Sequence, residues 1–487
     1  MNQTVSLALR NLLRNRRRSL ATLLALAIGA ASLLLFGGYT ADIRLAMLTE
    51  YVRNGGHLQI QHRDYFLYGS GNPTAYAIRQ HRAIEQAIAD DPALKSQISV
   101  VSPMLQFGGV AGNYDAGVSR TVIGTGLVAG DVTRMRQWNE FGSAQVSPTY
   151  LLDGAAADAA IVGTGVARVL LLCEPLKIAN CPKPEVEKVA KGPALDADIA
   201  ALAEMESKPQ PKAPAKGRDK ARPGTPAKSE ATPVAAVPNA KIELLSGHGR
   251  GSPNVAALNV VAAENQGTKE LDDIAIVLQF KQAQQLVFGR TEPRATAIMV
   301  QLVHTADMAD VRQRLQALLQ RVAPGEPLAI LDFIELNPFY TQTVQLFDTI
   351  FGFIFTLIGG IVLFTVTNTM NAAVVERTTE VGTLRAVGLR QAGIRQLFLT
   401  EGLLLGVAGA VAGVASALVI SAVVNSLHLT WLPPGGSEPL PLTVRVWGQF
   451  GMLAVTAIGL VVVAALSAWW PARRAAQLKI VDALRHI

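Results

Sequence analysis

Apolar positions along this chain follow two rhythms. In four stretches they run uncharged for longer than the about 20 residues that cross ~30 Å of hydrocarbon at 1.5 Å per residue. These are 19–41, bounded by Arg18 and Asp42; 349–375, bounded by Asp348 and Glu376; 402–424, after Glu401; and 447–471, between Arg445 and Arg473. Each predicts a transmembrane helix. Elsewhere the runs are short and periodic. Alternation over 57–62, 98–106 and 121–125 predicts strands, and 255–264, 270–280 and 294–303 supply more; 77–89 and 308–322 repeat at helical spacing, and 158–172 reads as a strand end passing into a helix. The expected fold class is an integral membrane protein of four transmembrane α-helices with a large α+β domain between the first and second.

Helical spacing outlasts two membrane windows, through Ile43, Ala46, Met47 and Tyr51 after the first and through Phe339, Val344, Phe347 and Ile350 before the second. A paired stalk is therefore expected within 42–345. An arginine-rich start before an apolar run also describes a secretory signal, but this run exceeds the ~7–15 residues of a signal core and continues into charged 42–53 without a small-x-small exit. An uncleaved anchor fits better.

Lys and Arg in the short flanks orient the spans. Arg10, Arg14, Arg16, Arg17 and Arg18 precede the first; Arg377, Arg385, Arg390 and Arg395 lie between the second and third; Arg473, Arg474, Lys479 and Arg485 follow the fourth. The connection 425–446 holds Arg445 alone. The basic N-terminus 1–18, the amphipathic segment 376–396 and the tail 472–487 are thus expected in the cytoplasm, with both termini, and 42–345 and 425–446 on the other side.

Composition narrows the classes. With 487 residues, 50% of them hydrophobic, 17% charged and a mean hydropathy of +0.28, the chain is neither disordered throughout nor a small disulfide scaffold. A formal charge of +7 and pI near 9.4 leave nucleic-acid binding open until the charge is located. It sits in the membrane flanks and in a Pro/Lys-rich insertion, about 183–240, that lacks the aromatic residues on which bases stack. That insertion reads as a flexible solvated loop, and no nucleic-acid partner is expected. Cys173 and Cys181 stand at its base, where a local disulfide is preferred over free thiols or a metal site.

Chemistry-bearing motifs are few. No Gly-Lys dipeptide, and so no phosphate cradle of the G-x-x-x-x-G-K-[ST] kind, occurs; H-E-x-x-H is absent too. No catalytic, cofactor or metal residues are expected, and His57 and His62 are read as ordinary surface or core histidines. The apolar windows carry no Asp, Glu, His, Lys or Arg, which argues against an ion-coupled transporter. Thr365, Thr367, Asn368, Thr369 and Asn371 cluster near one end of the second span, and Gly402, Gly406, Gly409 and Gly413 place a small-residue face on the third, suited to close helix packing.

The segment VVERTTEVGTLRAVGLRQAGIRQLFLTEG carries a charged turn, an apolar ridge of Leu384, Val387 and Leu389, and breaks expected at Gly388 and Gly393. It resembles the coupling-helix signature of the MacB/FtsX/lipoprotein-releasing permeases of ABC transporters. The start, LALRNLLRNRRRSLATLLALAIG, and the end, WWPARRAAQLKIVDALRH, are similar to that family's termini, with Ile480 where many members have proline. Over 57–338 the likeness is architectural only.

The resemblance implies a non-catalytic permease subunit in a bacterial inner membrane that pairs with a second copy or a paralogue. It also implies binding of a cytosolic ABC ATPase dimer, which holds the ATP and Mg. Glu376, Arg377 and Glu380 would contact that ATPase, while Gly382, Leu384, Arg385 and Gly388 would shape the coupling helix. Force would pass through the stalk to the outer domain, with membrane lipid and a periplasmic chaperone or adaptor as further partners. Lipoprotein release or related envelope export is the first functional expectation; tripartite efflux of peptides or small compounds in the manner of MacB is the second, and FtsX-like regulation of a cell-wall hydrolase the third.

Overall fold

The computed structural model describes residues 2–142, 149–178, 240–247, 253–431 and 440–478. Four of its helices are long and apolar enough to cross a membrane: α2 (Arg16–Gly55), α3 (Pro338–Glu376), α5 (Gln391–Ser426) and α6 (Phe450–Ala476). A short α1 (Asn2–Arg14) precedes them, and α4 (Thr378–Ala386) lies between α3 and α5. At 40 residues, α2 is about 60 Å long, twice the hydrocarbon thickness, so it continues out of the bundle toward the sheet domain. With α3 it forms the stalk, where Tyr51 and Tyr340 meet edge to face at 6.2 Å. The helix stops at Gly56, whose φ of +78° turns the chain into the first strand and whose absent Cβ leaves room for the Val300 carbonyl oxygen, 2.8 Å from where that atom would lie.

Bundle packing depends on missing side chains along α5. Cβ atoms at Gly402 and Gly406 would stand 2.4 and 2.9 Å from those of Ala468 and Ala464 on α6; at Gly409 and Gly413 they would stand 2.4 and 2.2 Å from Leu26 and Ala30 on α2. The stripe therefore serves two neighbours in succession rather than one. Gly413→Ala is expected to destabilise the bundle by about 1–3 kcal/mol through overpacking, whereas Gly352→Ala on α3, with nothing near the new methyl, is neutral. Melting temperatures of the two variants in detergent check this.

The other body, called outer here, is a nine-stranded mixed sheet in the order β3-β7-β4-β6-β5-β2-β8-β1-β9. Its strands are β1 (Leu58–His62), β2 (Ile98–Asn113), β3 (Val118–Leu127), β4 (Ala159–Gly163), β5 (Lys241–Ser246), β6 (Asn254–Glu264), β7 (Ala275–Gln279), β8 (Ala297–Leu302) and β9 (Leu328–Asp332). One core lies where the helices His81–Asp90 and Met308–Val322 bring Ile84, Ile88, Leu315 and Leu318 onto Leu58, Ile60 and Val300. The other gathers Val166, Leu170, Leu286 and Val287 around Leu105, Phe107 and Leu278.

Several boundaries differ from the sequence reading. β2 runs past 106, where the sequence reading ended it, through Gly108, Gly109 and Gly112, because the missing Cβ of Gly109, which would lie 2.7 Å from the Leu245 carbonyl oxygen, lets β5 pack close, and Gly124, paired with Phe107, makes room for that ring. The last membrane helix begins at Phe450 rather than 447 and runs to Ala476. Segment 376–396 is not one helix: Glu376 ends α3, α4 follows, and 391–396 already belong to α5, with Gly393 inside it rather than at a break. Cys173 opens the short helix Cys173–Leu176 and is disulfide-bonded; Cys181, most of the insertion 183–240 and Ile480 lie outside the described residues.

Candidate functional site at the inner end of the bundle

The end of the bundle away from the sheet domain collects the residues of the quoted signature. α4 terminates by geometry that only glycine accepts readily. Gly388 has φ +107°, its N–H donates to the Arg385 carbonyl at 3.1 Å, and the Leu389 N–H reaches back to the Leu384 carbonyl at 3.0 Å, which closes the helix end. The turn pushes an apolar tip outward, with Val387 83% exposed and Leu384 and Leu389 beside it. Gly382 faces inward. Arg385 donates to the Leu478 carbonyl just beyond α6.

The charges expected to project from this segment fold back instead. Glu380 pairs with Arg14 of α1 at 2.5 Å, and Glu376 with Arg18 of α2 at 2.7 Å, with Asn15 donating to Glu376 at 3.3 Å. Arg377 is the clearest departure. Its guanidinium is turned into the bundle, donating to Glu401 of α5 at 2.8 Å and to the Asn11 carbonyl at 3.1 Å, while the Asn11 amide donates to the same Glu401 oxygen at 2.6 Å. The Arg377 and Glu401 side chains are 6% and 2% exposed. Arg377 therefore offers no charge to an outside partner. Glu401 adjoined the third apolar window without being counted among the functional residues; the sequence signal was an acid with no nearby compensating base, well inside what proves to be one helix.

Energetically the contacts differ. The two half-exposed pairs contribute only about 0.2–1 kcal/mol each. The buried pair matters through its dependence on both members, since losing one strands the other charge. Together they join α1, α2, α3, α4 and α5 into one clasp, in which α4 bears on α1 through Glu380 and on α3 through the single residue Arg377 between them.

The outer domain holds a separate cleft of about 610 Å³ lined by Arg82, Glu85, Gln86, Lys95, Ser99 and Arg134. Burial, reinforced by Asp131, pushes the Glu85 carboxyl up to about 7. His57 is a core residue: Nδ1 accepts from the Leu302 N–H at 3.0 Å, Nε2 lies 3.2 Å from the Thr305 hydroxyl, and Trp138 stands edge-on at 5.0 Å. Among the described residues no three His, Cys, Asp or Glu side chains are grouped so as to hold a metal ion.

Residues 349–480 match the family model described as FtsX-like permease C-terminal. The chain is 37% identical over 144 residues to the macrolide export ATP-binding/permease protein MacB of Shigella boydii serotype 4 (strain Sb227), covering 30% of this chain and 20% of that protein. Against the protein of the same name from Escherichia coli (strain K12) the identity is 36% over the same length and the same shares. The chain thus spans about a fifth of the length of these relatives. The crystal structure of the periplasmic region of MacB from Actinobacillus actinomycetemcomitans aligns with a TM-score of 0.30 at 10% identity, over 60% of this chain and 95% of that one.

Proposed function

We propose, from a membrane module that belongs to the FtsX-like permeases over residues 349–480, that this chain is the permease subunit of an ABC transporter that works by transmitting force. The single observation that carries the reading is mechanical: α2 and α3 run without a break from the inner clasp to the sheet domain, Arg18 and Glu376 pair them at the clasp, and α4 follows α3 after one residue and pairs through Glu380 with Arg14 at the end of α1. A separate cytosolic ATPase would supply ATP and its Mg, and would seat on the apolar tip of Leu384, Val387 and Leu389, since the charges beside it are engaged within the chain. Closure of that ATPase would push on α4, and the stalk would move the outer domain against its client. No polar path through the bundle is needed for this.

Lipoprotein release or related envelope export is the client class we favour, because the large outer domain stands on a stalk outside the bilayer, where an extracted lipid-anchored client would emerge. The macrolide export named for the relatives supports tripartite efflux as the second reading. Depletion followed by membrane fractionation separates them: lipoproteins held back in the inner membrane support release, while unchanged lipoproteins with raised drug or peptide sensitivity support efflux.

The seat itself is tested by Val387→Asp. Val387 is almost wholly exposed, so the permease is expected to fold normally, yet co-purification of its ATPase drops at least about tenfold as a charge enters the centre of an apolar contact. Full retention of the ATPase would remove the α4 tip as the seat. Gly388→Pro, incompatible with φ +107°, is expected to have the same effect by redirecting the tip.

A further inference from the structure

Arg445 is the lone basic residue in 425–446, and its surroundings are unusually specific. Its Nε lies 3.3 Å from an Asp42 carboxylate oxygen on α2, its Nη1 donates to the Phe141 carbonyl of the outer domain at 2.7 Å, and its backbone N–H donates to the Gly38 carbonyl at 3.1 Å. Thr443 donates its hydroxyl to the other Asp42 oxygen. The strand of chain around it is fixed to α5 by a reciprocal pair, the Asn425 amide donating to the Val444 carbonyl at 3.1 Å and the Val444 N–H to the Asn425 side-chain oxygen at 2.8 Å. Val444 and Val446 are buried against Ala31, Leu34 and Ala417. Gly38 allows this approach, because a Cβ there would fall 3.0 Å from Val446 and 3.2 Å from the Arg445 carbonyl carbon. Residues 443–446 are therefore a strap pinned to α2 and α5.

Its outer contact is equally anchored. Phe141 meets the Trp138 ring edge to face at 5.9 Å; the Trp138 indole donates to the Val303 carbonyl at 3.2 Å, and its own carbonyl accepts from Arg53, near the end of α2, at 2.8 Å. Trp138 in turn stands against His57 at the head of β1. α5 ends at Ser426 and α6 begins at Phe450, so neither helix continues into the sheet domain.

We propose that Arg445 is a positioning residue that carries displacement of α5 and α6 into the outer domain, along a route parallel to the α2–α3 stalk. The proposal rests on the force-transmission reading above. Its chemistry calls for arginine: the planar fork serves a carboxylate on the membrane half and a carbonyl on the outer half at once, while a lysine ammonium concentrates its donors on one point.

The test uses the full chain in lipid nanodiscs, with and without its ATPase, carrying spin labels at Ser426→Cys and Thr268→Cys, two exposed sites on α5 and the outer domain. Without nucleotide, Arg445→Gln is expected to broaden the distance distribution at least about twofold, with Arg445→Lys recovering part of the width. With ATP and vanadate, the wild-type distance shifts; Arg445→Gln loses most of that shift while its ATPase rate stays within about twofold. A distribution as narrow as wild type, or an undiminished nucleotide-driven shift, overturns the proposal. A wild type that shows no nucleotide response overturns the force-transmission reading, and the nucleotide-free widths still decide the strap. Should Arg445→Gln fail to fold, Asp42→Asn keeps the side-chain shape, weakens the same bridge and is read the same way.

Discussion

Glu401→Ala is expected to lower the stability of the membrane bundle by about 3–5 kcal/mol, the largest effect among single substitutions considered for this chain. The cause is the charge left behind. Arg377 is buried, its guanidinium Nη1 aimed at Glu401 and its Nη2 at the Asn11 carbonyl, and removing the carboxylate leaves a cation with no counter-charge in a water-poor site. Asn11 loses its acceptor at the same time. Replacing both charges, as in Arg377→Met with Glu401→Leu, is expected to recover most of the loss, since two well-packed apolar side chains strand nothing. Thermal melting in detergent reads both; a Glu401→Ala protein that melts with wild type would show that the pair is not buried together. The double variant is also informative about coupling, because it restores packing across the clasp without restoring its directional tie.

The second large effect is one of pH. Burial, opposed weakly by the nearby Glu140 charge, holds His57 down at about 4, against 6.5 when unfolded. Between those values the unfolded chain binds a proton that the folded domain does not, so stability is fully present above pH 6.5 and falls as pH drops toward 4, by about 3 kcal/mol in total. Glu140 adds to that slope: burial raises its carboxyl, but hydrogen bonds from Thr305 and the neighbouring His304 outweigh this and leave it lowered. Glu85 works in the other direction. Its contribution is present below 4.5 and is lost as pH rises through about 7. Urea unfolding of the full chain, followed by tryptophan emission, which includes Trp138 against the His57 ring, is expected to show the loss, and His57→Gln, which cannot gain a proton, to flatten most of it. An unchanged slope in that variant would assign the acid sensitivity to other groups.

How far these features were visible beforehand depends on the range of the interactions that form them. The four membrane helices and the alternating strands β1, β2, β3, β6 and β8 follow from local apolar rhythm, and so does the helix Met308–Val322. β9, with only five residues directly after a proline-glycine turn, and β5, at the far edge of the basic insertion, exist because of the strands beside them and carry too little pattern of their own. Helix Phe280–Phe288 is missing from the sequence reading, which ends its strand at Phe280, because Lys281, Gln282, Gln284 and Gln285 leave only a short apolar face on nine residues. At the inner end the segment stood out by its residues, but its electrostatics did not. Glu380 and Arg14 are 366 positions apart, and Glu401 and Asn11 are 390 apart. Charges that look free along the chain are satisfied by partners that only the fold brings near.

The sheet has a consequence for biogenesis. β1 is made at the start of the outer domain, yet its two neighbours are β8 and β9, so Leu58 waits for Val300 on one side and Asp332 on the other. Such distant pairings are slow to close. Nearly the whole domain must therefore be synthesised before its first strand finds a place, and the emerging polypeptide spends that interval with unpaired strand edges open to proteases and to mispairing.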